Sequence, residues 1–361
     1  MPVGLEAILA DAVPRVCSAA VALIAVNGSV AAGAVAGELV RYTDARGTLA
    51  AHRPPARRDS IFDLASISKL FTTVVLLSLA EEGRLHLDEP VAARIEGTDP
   101  RITLRRLLTH TAGLPADRRI DRELPRADAE TRLAALLRTP IIHPVGGPCL
   151  YSDVGMIMAG RLAELAGGAR LDALVRDRVT GVLGLSDTVY RPDGSRLARV
   201  AATEWKAERP GPGCVRGEVH DETAYALGGV AGHAGLFSTA GDLLTIGEVL
   251  RKGGEPVLRQ ESVAEMVRDQ GAEGAPFRQG LGVRIGDPAI VGPLTGAYGH
   301  SGFTGTSLVI DPARRLTVVL LTNAVHPRRG GAGVRELRHA VATKAARLAL
   351  TESDRPATHP R

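Results

Sequence analysis

Phe62-Asp63-Leu64-Ala65-Ser66-Ile67-Ser68-Lys69 leads into an apolar stretch carrying Leu70, Val74, Leu77 and Leu79 and ending at Gly83. This spacing predicts a helix over 66–82 closed by a glycine cap, with Ser66 in its first turn. Ser66 and Lys69, three apart on one helical face, have Cβ atoms roughly 5 to 6 Å apart, which sets an amine beside a hydroxyl. A serine becomes a nucleophile when a base takes its proton, and a lysine can serve once burial and neighbours bring its pKa toward neutrality. The helix start adds a positive dipole end and free N–H groups suited to a developing oxyanion. With 14 serines and four lysines in 361 residues, about 0.16 Ser-x-x-Lys pairs arise by chance, so the pair needs partners elsewhere in the chain.

Two segments supply them. Tyr151-Ser152-Asp153 follows the breaker Pro144-Val145-Gly146-Gly147-Pro148 and precedes a helical pattern, so Tyr151 projects from a loop at a helix start. A tyrosine there can relay a proton if nearby cations favour its phenolate; the plain alternative is a packed aromatic beside an N-cap. Tyr298-Gly299-His300-Ser301-Gly302-Phe303-Thr304 stands just before an apolar strand. Small residues around His300 and Ser301 let a ligand approach the backbone, and a strand-edge N–H at Phe303 could complete an oxyanion hole with that of Ser66. A bulged glycine-rich strand is the plain alternative, and it leaves the His-Ser pair unexplained.

Ser66-x-x-Lys69, Tyr151-x-Asp153 and His300-x-Gly302, in that order, resemble the three boxes of serine hydrolases in the class C β-lactamase and penicillin-binding-protein superfamily. The flanks "ITLRRLLTHTAGLP", "LGGVAGHAGLFSTAGDL" and "GHSGFTGTSLVIDP" extend the likeness from about Ser60 to Pro327. The resemblance implies an acylated Ser66, Lys69 and Tyr151 as the proton-handling pair, and the Ser66 and Phe303 N–H groups as oxyanion hole. Asp153, His300, Ser301 and Gly302 would contact substrate. It also implies an α/β domain built from both chain ends, 1–62 and 236–361, with an antiparallel sheet flanked by helices. A mainly helical domain, 63–235, would be inserted between them. Fold and boxes serve many substrates, so they do not name one.

Two positions depart from the pattern. His300 stands where penicillin-recognising members usually carry lysine, and a group of pKa near 6.5 predicts weaker recognition of a substrate carboxylate. A histidine in this box resembles the esterases, D-aminopeptidases and amidases of the superfamily. Asp153 replaces the more usual asparagine, an acceptor-only carboxylate in place of an amide. It could pair with Lys69 and keep that amine charged, or attract an amine-bearing substrate or acyl acceptor.

Composition narrows the classes. Of 44 basic residues 40 are arginine, a bias that makes a lysine inside a motif uncommon. The net charge of +4 comes from scattered arginines among 40 acids, and aromatics are 3%, which argues against nucleic acid. The three cysteines, Cys17, Cys149 and Cys214, have neither disulfide-framework nor zinc-site spacing, which predicts a reduced compartment. Residues 1–13 carry Glu6 and Asp11 with apolar residues at helical spacing, and Ala19 to Val26 is too short to span a membrane. A cytoplasmic protein with no membrane partner is expected. His110, His143, His220 and His233 lack metal-site spacing, so neither a metal nor another cofactor is expected. The glycines at 228–232 lack the strand and acid of a dinucleotide loop, and Cys149 reads as a small apolar filler.

Strands are predicted at 21–26 and 29–39, turning at Asn27-Gly28, and at 304–310 and 316–322, with a last helix over 334–350 and a polar, Pro-containing end. Helices are predicted at 103–110, 129–138, 153–166, 171–183 and 242–251. The expected activity is cleavage of a small-molecule ester or amide through an acyl-Ser66 intermediate. The alternatives are acyl transfer to an amine, a β-lactamase or DD-peptidase, and a fold retained as a non-catalytic binding module.

Overall fold

The computed structural model describes residues 3–209, 211 and 213–353; the polar segment 354–361 lies outside them. Ala19–Val26 (β1) is buried along its whole length, which is why it reads as an unbroken apolar run. The Asn27-Gly28 turn, both residues at positive φ, returns the chain as Ser29–Gly37 (β2). Phe62–Asp63 (β3), Val189–Tyr190 (β4) and Leu236–Ser238 (β5) form a small sheet in the order β3-β5-β4. Arg278–Gln279 (β6), Arg284–Ile285 (β7), Tyr298–Ser301 (β8), Ser307–Asp311 (β9) and Leu316–Thr322 (β10) complete the main sheet. Its order is β2-β1-β10-β9-β8-β7-β6, and every neighbouring pair is antiparallel.

The first and last strands of the chain, β1 and β10, lie side by side in this sheet, where Ala20 opposes Thr322 and Val26 opposes Leu316. Strand alternation then sends side chains to two cores. Val21, Leu23, Val319 and Leu321 face one core with Leu243 and Ile246 of the helix Ala240–Arg251. Ala22, Ile24, Val318 and Leu320 face the other, with Leu5 and Leu9 of the helix Leu5–Ala12 and Leu337 and Val341 of the helix Val334–Ser353. An antiparallel sheet flanked by helices is the fold class expected.

Between β3 and β5 the chain is mainly helical, and Phe62 pairing with Ser238 brings the start and end of this excursion together. The helix Ser68–Glu81 is buried on nearly all sides, so its apolar periodicity is weak and the hydroxyls of Thr72 and Thr73 turn inward. It packs on Asp153–Gly167 at a close crossing near Gly232, where a Cβ would lie 2.1 Å from the Met156 carbonyl. That close approach accounts for one of the glycines at 228–232.

Several boundaries differ from expectation. Residues 302–306 form the turn between β8 and β9 and are not strand, because Gly302 N–H donates to Thr306 O and Gly305 N–H to Gly302 O. The segment after Leu171 leaves the α-helix at Val175 for a wider turn over Arg176–Thr180. The helix after the Thr103 cap is only Leu104–Leu108. No helix among the described residues is long and apolar enough to cross a membrane.

Candidate active site

Ser66 lies in the single 3₁₀ turn Ala65–Ile67, one step before the α-helix Ser68–Glu81 and not in its first turn. Ala65 holds φ at +47°, a region L-residues rarely occupy, and its N–H donates to Asp63 Oδ1 at 2.8 Å. Among the described residues neither the Ser66 nor the Phe303 backbone N–H makes a hydrogen bond. Phe303 stands in the β8–β9 turn, which corrects its expected place on a strand edge.

Lys69 is fully buried. Its Nζ donates to Ser66 Oγ at 2.8 Å and to His233 O at 3.2 Å, and lies 2.7 Å from Asp153 Oδ1. Burial pulls its pKa down, but the charge of Asp153, then Tyr151, outweighs it and raises the pKa above the ordinary 10.5. Burial by itself would favour a neutral amine. The carboxylate at 153 reverses it, and the pairing that Asp153 allows is present.

Tyr151 is set by the start of the helix Asp153–Gly167. Ser152 caps that helix by accepting from Gly155 N–H, donates its hydroxyl to Pro115 O, and donates its own N–H to His110 Nδ1 at 3.1 Å. Lys69 Nζ and the Arg284 guanidinium each lie 4.8 Å from the Tyr151 ring centre. The His110 and His300 rings are 4.6 and 6.0 Å away. Both histidines are neutral. Burial first, then the charge of Lys69, lowers His110 to about 3. Burial, Lys69 and Arg284 hold His300 well below 6.5. His300 Nδ1 donates to Ser301 O at 2.8 Å, which leaves Nε2 as an acceptor.

Ser66, Tyr151 and Phe303 are shared walls of two cavities. One, of about 240 Å³, also carries Asp117, Arg118, Asp153, Asp221, Glu222 and Arg329. The other, of about 450 Å³, carries Arg284, Ser301, Gly302 and Arg338. Phe303, 61% exposed, stacks on His220 with ring centres 5.7 Å apart. Gly302 is required where it stands: a Cβ would lie 2.3 Å from Leu64 O and 2.2 Å from Thr306 Oγ1. Cys149 lies apart from both cavities, its Sγ 3.6 Å from Thr109 O.

The structure thus brings Ser66, Lys69, Tyr151 and Asp153 together and sets Phe303, Ser301 and Gly302 around them, with His300 behind Tyr151. It also assembles groups that spacing did not disclose. Arg284 on β7 and Arg338 on the last helix reach the second cavity, and nothing in their local sequence signals it. His233 Nε2 bonds Asp221 Oδ1 at 2.8 Å, and that partner lowers the Asp221 pKa against the effect of burial. Asp153, Asp221 and His233 offer donor atoms within 4.8 Å of one another, a spacing that could hold a cation. In the structure Lys69 supplies the positive charge to Asp153 there.

Residues 16–343 match the Beta-lactamase family. A protein of Escherichia coli K12 with the provisional name D-alanyl-D-alanine carboxypeptidase is 34% identical, over 75% of this chain and 70% of its own. Among solved structures, EstCE1, described as a hydrolase with promiscuous acyltransferase activity, superposes with a TM-score of 0.73 at 25% identity, covering 94% of this chain and 97% of its own. Simvastatin synthase (LovD) from Aspergillus terreus shares the fold, with a TM-score of 0.72 at 23% identity over 96% of this chain and 98% of its own. The chain belongs to the Beta-lactamase family, whose members are serine hydrolases and acyltransferases.

Proposed function

We propose that the protein cleaves an ester or amide through an acyl intermediate on Ser66. The observation that carries this is Lys69 Nζ, 2.8 Å from Ser66 Oγ and 2.7 Å from Asp153, beside the Tyr151 ring. The reactive form is the one in which the Lys69–Tyr151 pair has first lost one proton to solvent; in it Ser66 Oγ attacks the substrate carbonyl and gives its own proton to that pair. The carbonyl oxygen takes the negative charge opposite the free N–H groups of Ser66 and Phe303. Collapse of the adduct breaks the bond to the leaving group, which takes the proton, and water then releases the acid.

The second cavity supports a reading of the leaving side. A neutral His300 predicts poor recognition of an anion, yet Arg284, paired to Asp287, and Arg338 line this cavity with no acid among its described walls. We assign it to a leaving group bearing a carboxylate, in keeping with the carboxypeptidase name of the Escherichia coli relative. Acyl transfer is the second reading, in keeping with the promiscuous acyltransferase activity described for EstCE1; the first cavity, walled by Asp117, Asp221 and Glu222 and by Arg118, Arg119 and Arg329, would receive the acceptor.

The test is incubation with a fluorophosphonate or a p-nitrophenyl ester followed by intact-mass measurement. An adduct on the wild type that is lost in Ser66→Ala is expected. Absence of any adduct or turnover would make the protein a binding module. Diversion of product from acid to amide on adding amines would establish transfer.

A further inference from the structure

Asp63 lies outside the three boxes, yet every part of the oxyanion pocket is tied to it. Its carboxylate is 2% exposed and has no cation within ion-pair distance among the described residues. A buried unpaired carboxylate costs stability, so its retention calls for a reason beyond packing. One oxygen accepts the Ala65 N–H at 2.8 Å and the other the His220 N–H at 2.6 Å. The Asp63 carbonyl accepts the Thr304 hydroxyl at 2.7 Å, and the next carbonyl, Leu64 O, accepts the Thr306 hydroxyl at 3.1 Å.

These bonds connect three separate segments. The Ala65 bond anchors that residue at φ +47°, immediately before Ser66, whose N–H at the helix start is left free. The Thr304 and Thr306 bonds fasten the turn that presents the Phe303 N–H. The His220 bond anchors the backbone of the residue on whose ring Phe303 stacks, the ring itself being held by Glu204 at 2.9 Å. We infer that Asp63 is a positioning residue that sets the Ser66 and Phe303 N–H groups against each other and so forms the oxyanion hole. The inference rests on the acyl-Ser66 reading. An asparagine at 63 would keep the shape but turn an NH₂ toward one of the two N–H donors, so that side of the pocket would open.

The test compares wild type with Asp63→Asn, rates being expressed per site titrated by fluorophosphonate. Loss of at least about 30-fold in kcat for a p-nitrophenyl ester is expected, with KM within about twofold. Affinity for a boronic acid, whose tetrahedral adduct on Ser66 places an oxygen in the pocket, should fall in step with kcat/KM. Glycine adopts positive φ without strain, so Ala65→Gly added to Asp63→Asn should recover at least about fivefold in kcat. If Asp63→Asn does not fold, Thr304→Val combined with Thr306→Val should show the same kcat loss in smaller measure. Unchanged kcat and boronate affinity per titrated site, with only a lowered melting temperature, would overturn the inference and leave the acyl-enzyme intact. A wild type that neither labels nor turns over would overturn both.

Discussion

Lys69 Nζ and Asp153 Oδ1 stand 2.7 Å apart with the lysine wholly inside the protein. A buried ammonium is costly by itself, and here Asp153 and Tyr151 more than offset that cost, so the amine rests charged. Asparagine at 153 would leave burial to lower the lysine. The rise of kcat/KM with pH in Asp153→Asn should therefore lie at lower pH than in the wild type. A superimposable pair of pH profiles would show that Lys69 is not the group whose deprotonation sets the rate.

Lys69→Arg keeps a cation near Asp153 but gives the Ser66 proton nowhere to go, since a guanidinium is not deprotonated at working pH. A loss of at least about 10³-fold in ester turnover is expected, with near-native circular dichroism. Retention of a tenth of the activity would move the base to another group.

Gly302→Ala forces a Cβ against the Leu64 carbonyl, a backbone atom that cannot step aside. The turn carrying Phe303 must shift away from Ser66. Turnover should fall by about 10² to 10³, the cost of one oxyanion donor, and stability by about 1 to 3 kcal/mol. Denaturant melts and steady-state kinetics on the same sample check both.

Three buried histidines set the acid side of stability. His110 is lowered to about 3 and His326 to about 4, each chiefly by burial, and His300 lies well below 6.5. The unfolded chain takes up these protons below pH 6.5 while the folded chain does not. Their contribution is therefore complete above that pH and is lost as pH falls toward 4. The slope is roughly 1.4 kcal/mol per pH unit for each histidine. Glu204 and Asp221 are lowered by their partners while burial raises Asp63 and Asp242, so the share of one histidine between pH 6.5 and 5 is read as the difference between wild type and a variant lacking it. Urea melts of His110→Gln across that window should show a slope shallower by about one group's share.

The guanidinium of Arg284 is held by Asp287 at 3.1 Å and layered between Tyr151 and Phe277. With matched substrates differing only in a free or methylated carboxyl on the leaving side, Arg284→Gln should raise the KM of the free acid roughly tenfold over that of its methyl ester. Because the comparison is a ratio, any effect through Tyr151 cancels. An unchanged ratio would remove the carboxylate from the second cavity.

Much of this protein is local and was legible as such. The all-apolar β1, the Asn27-Gly28 turn, the Thr103 and Ser152 caps, and the Ser66–Lys69 spacing each follow from backbone preference and periodicity over a few residues. The three boxes, taken in order, were sufficient for the family. What spacing could not show depends on residues brought together from afar. The charge state of Lys69 was decided by its own burial and by Asp153, 84 positions on. The cations of the second cavity come from β7 and the last helix, and Asp63 acquires its partners from residues 220 and 304. A sequence fixes which groups are available at one turn of helix or strand. Only the packed chain sets how far each is from water and from the opposite charge, and those two distances determine protonation and reach.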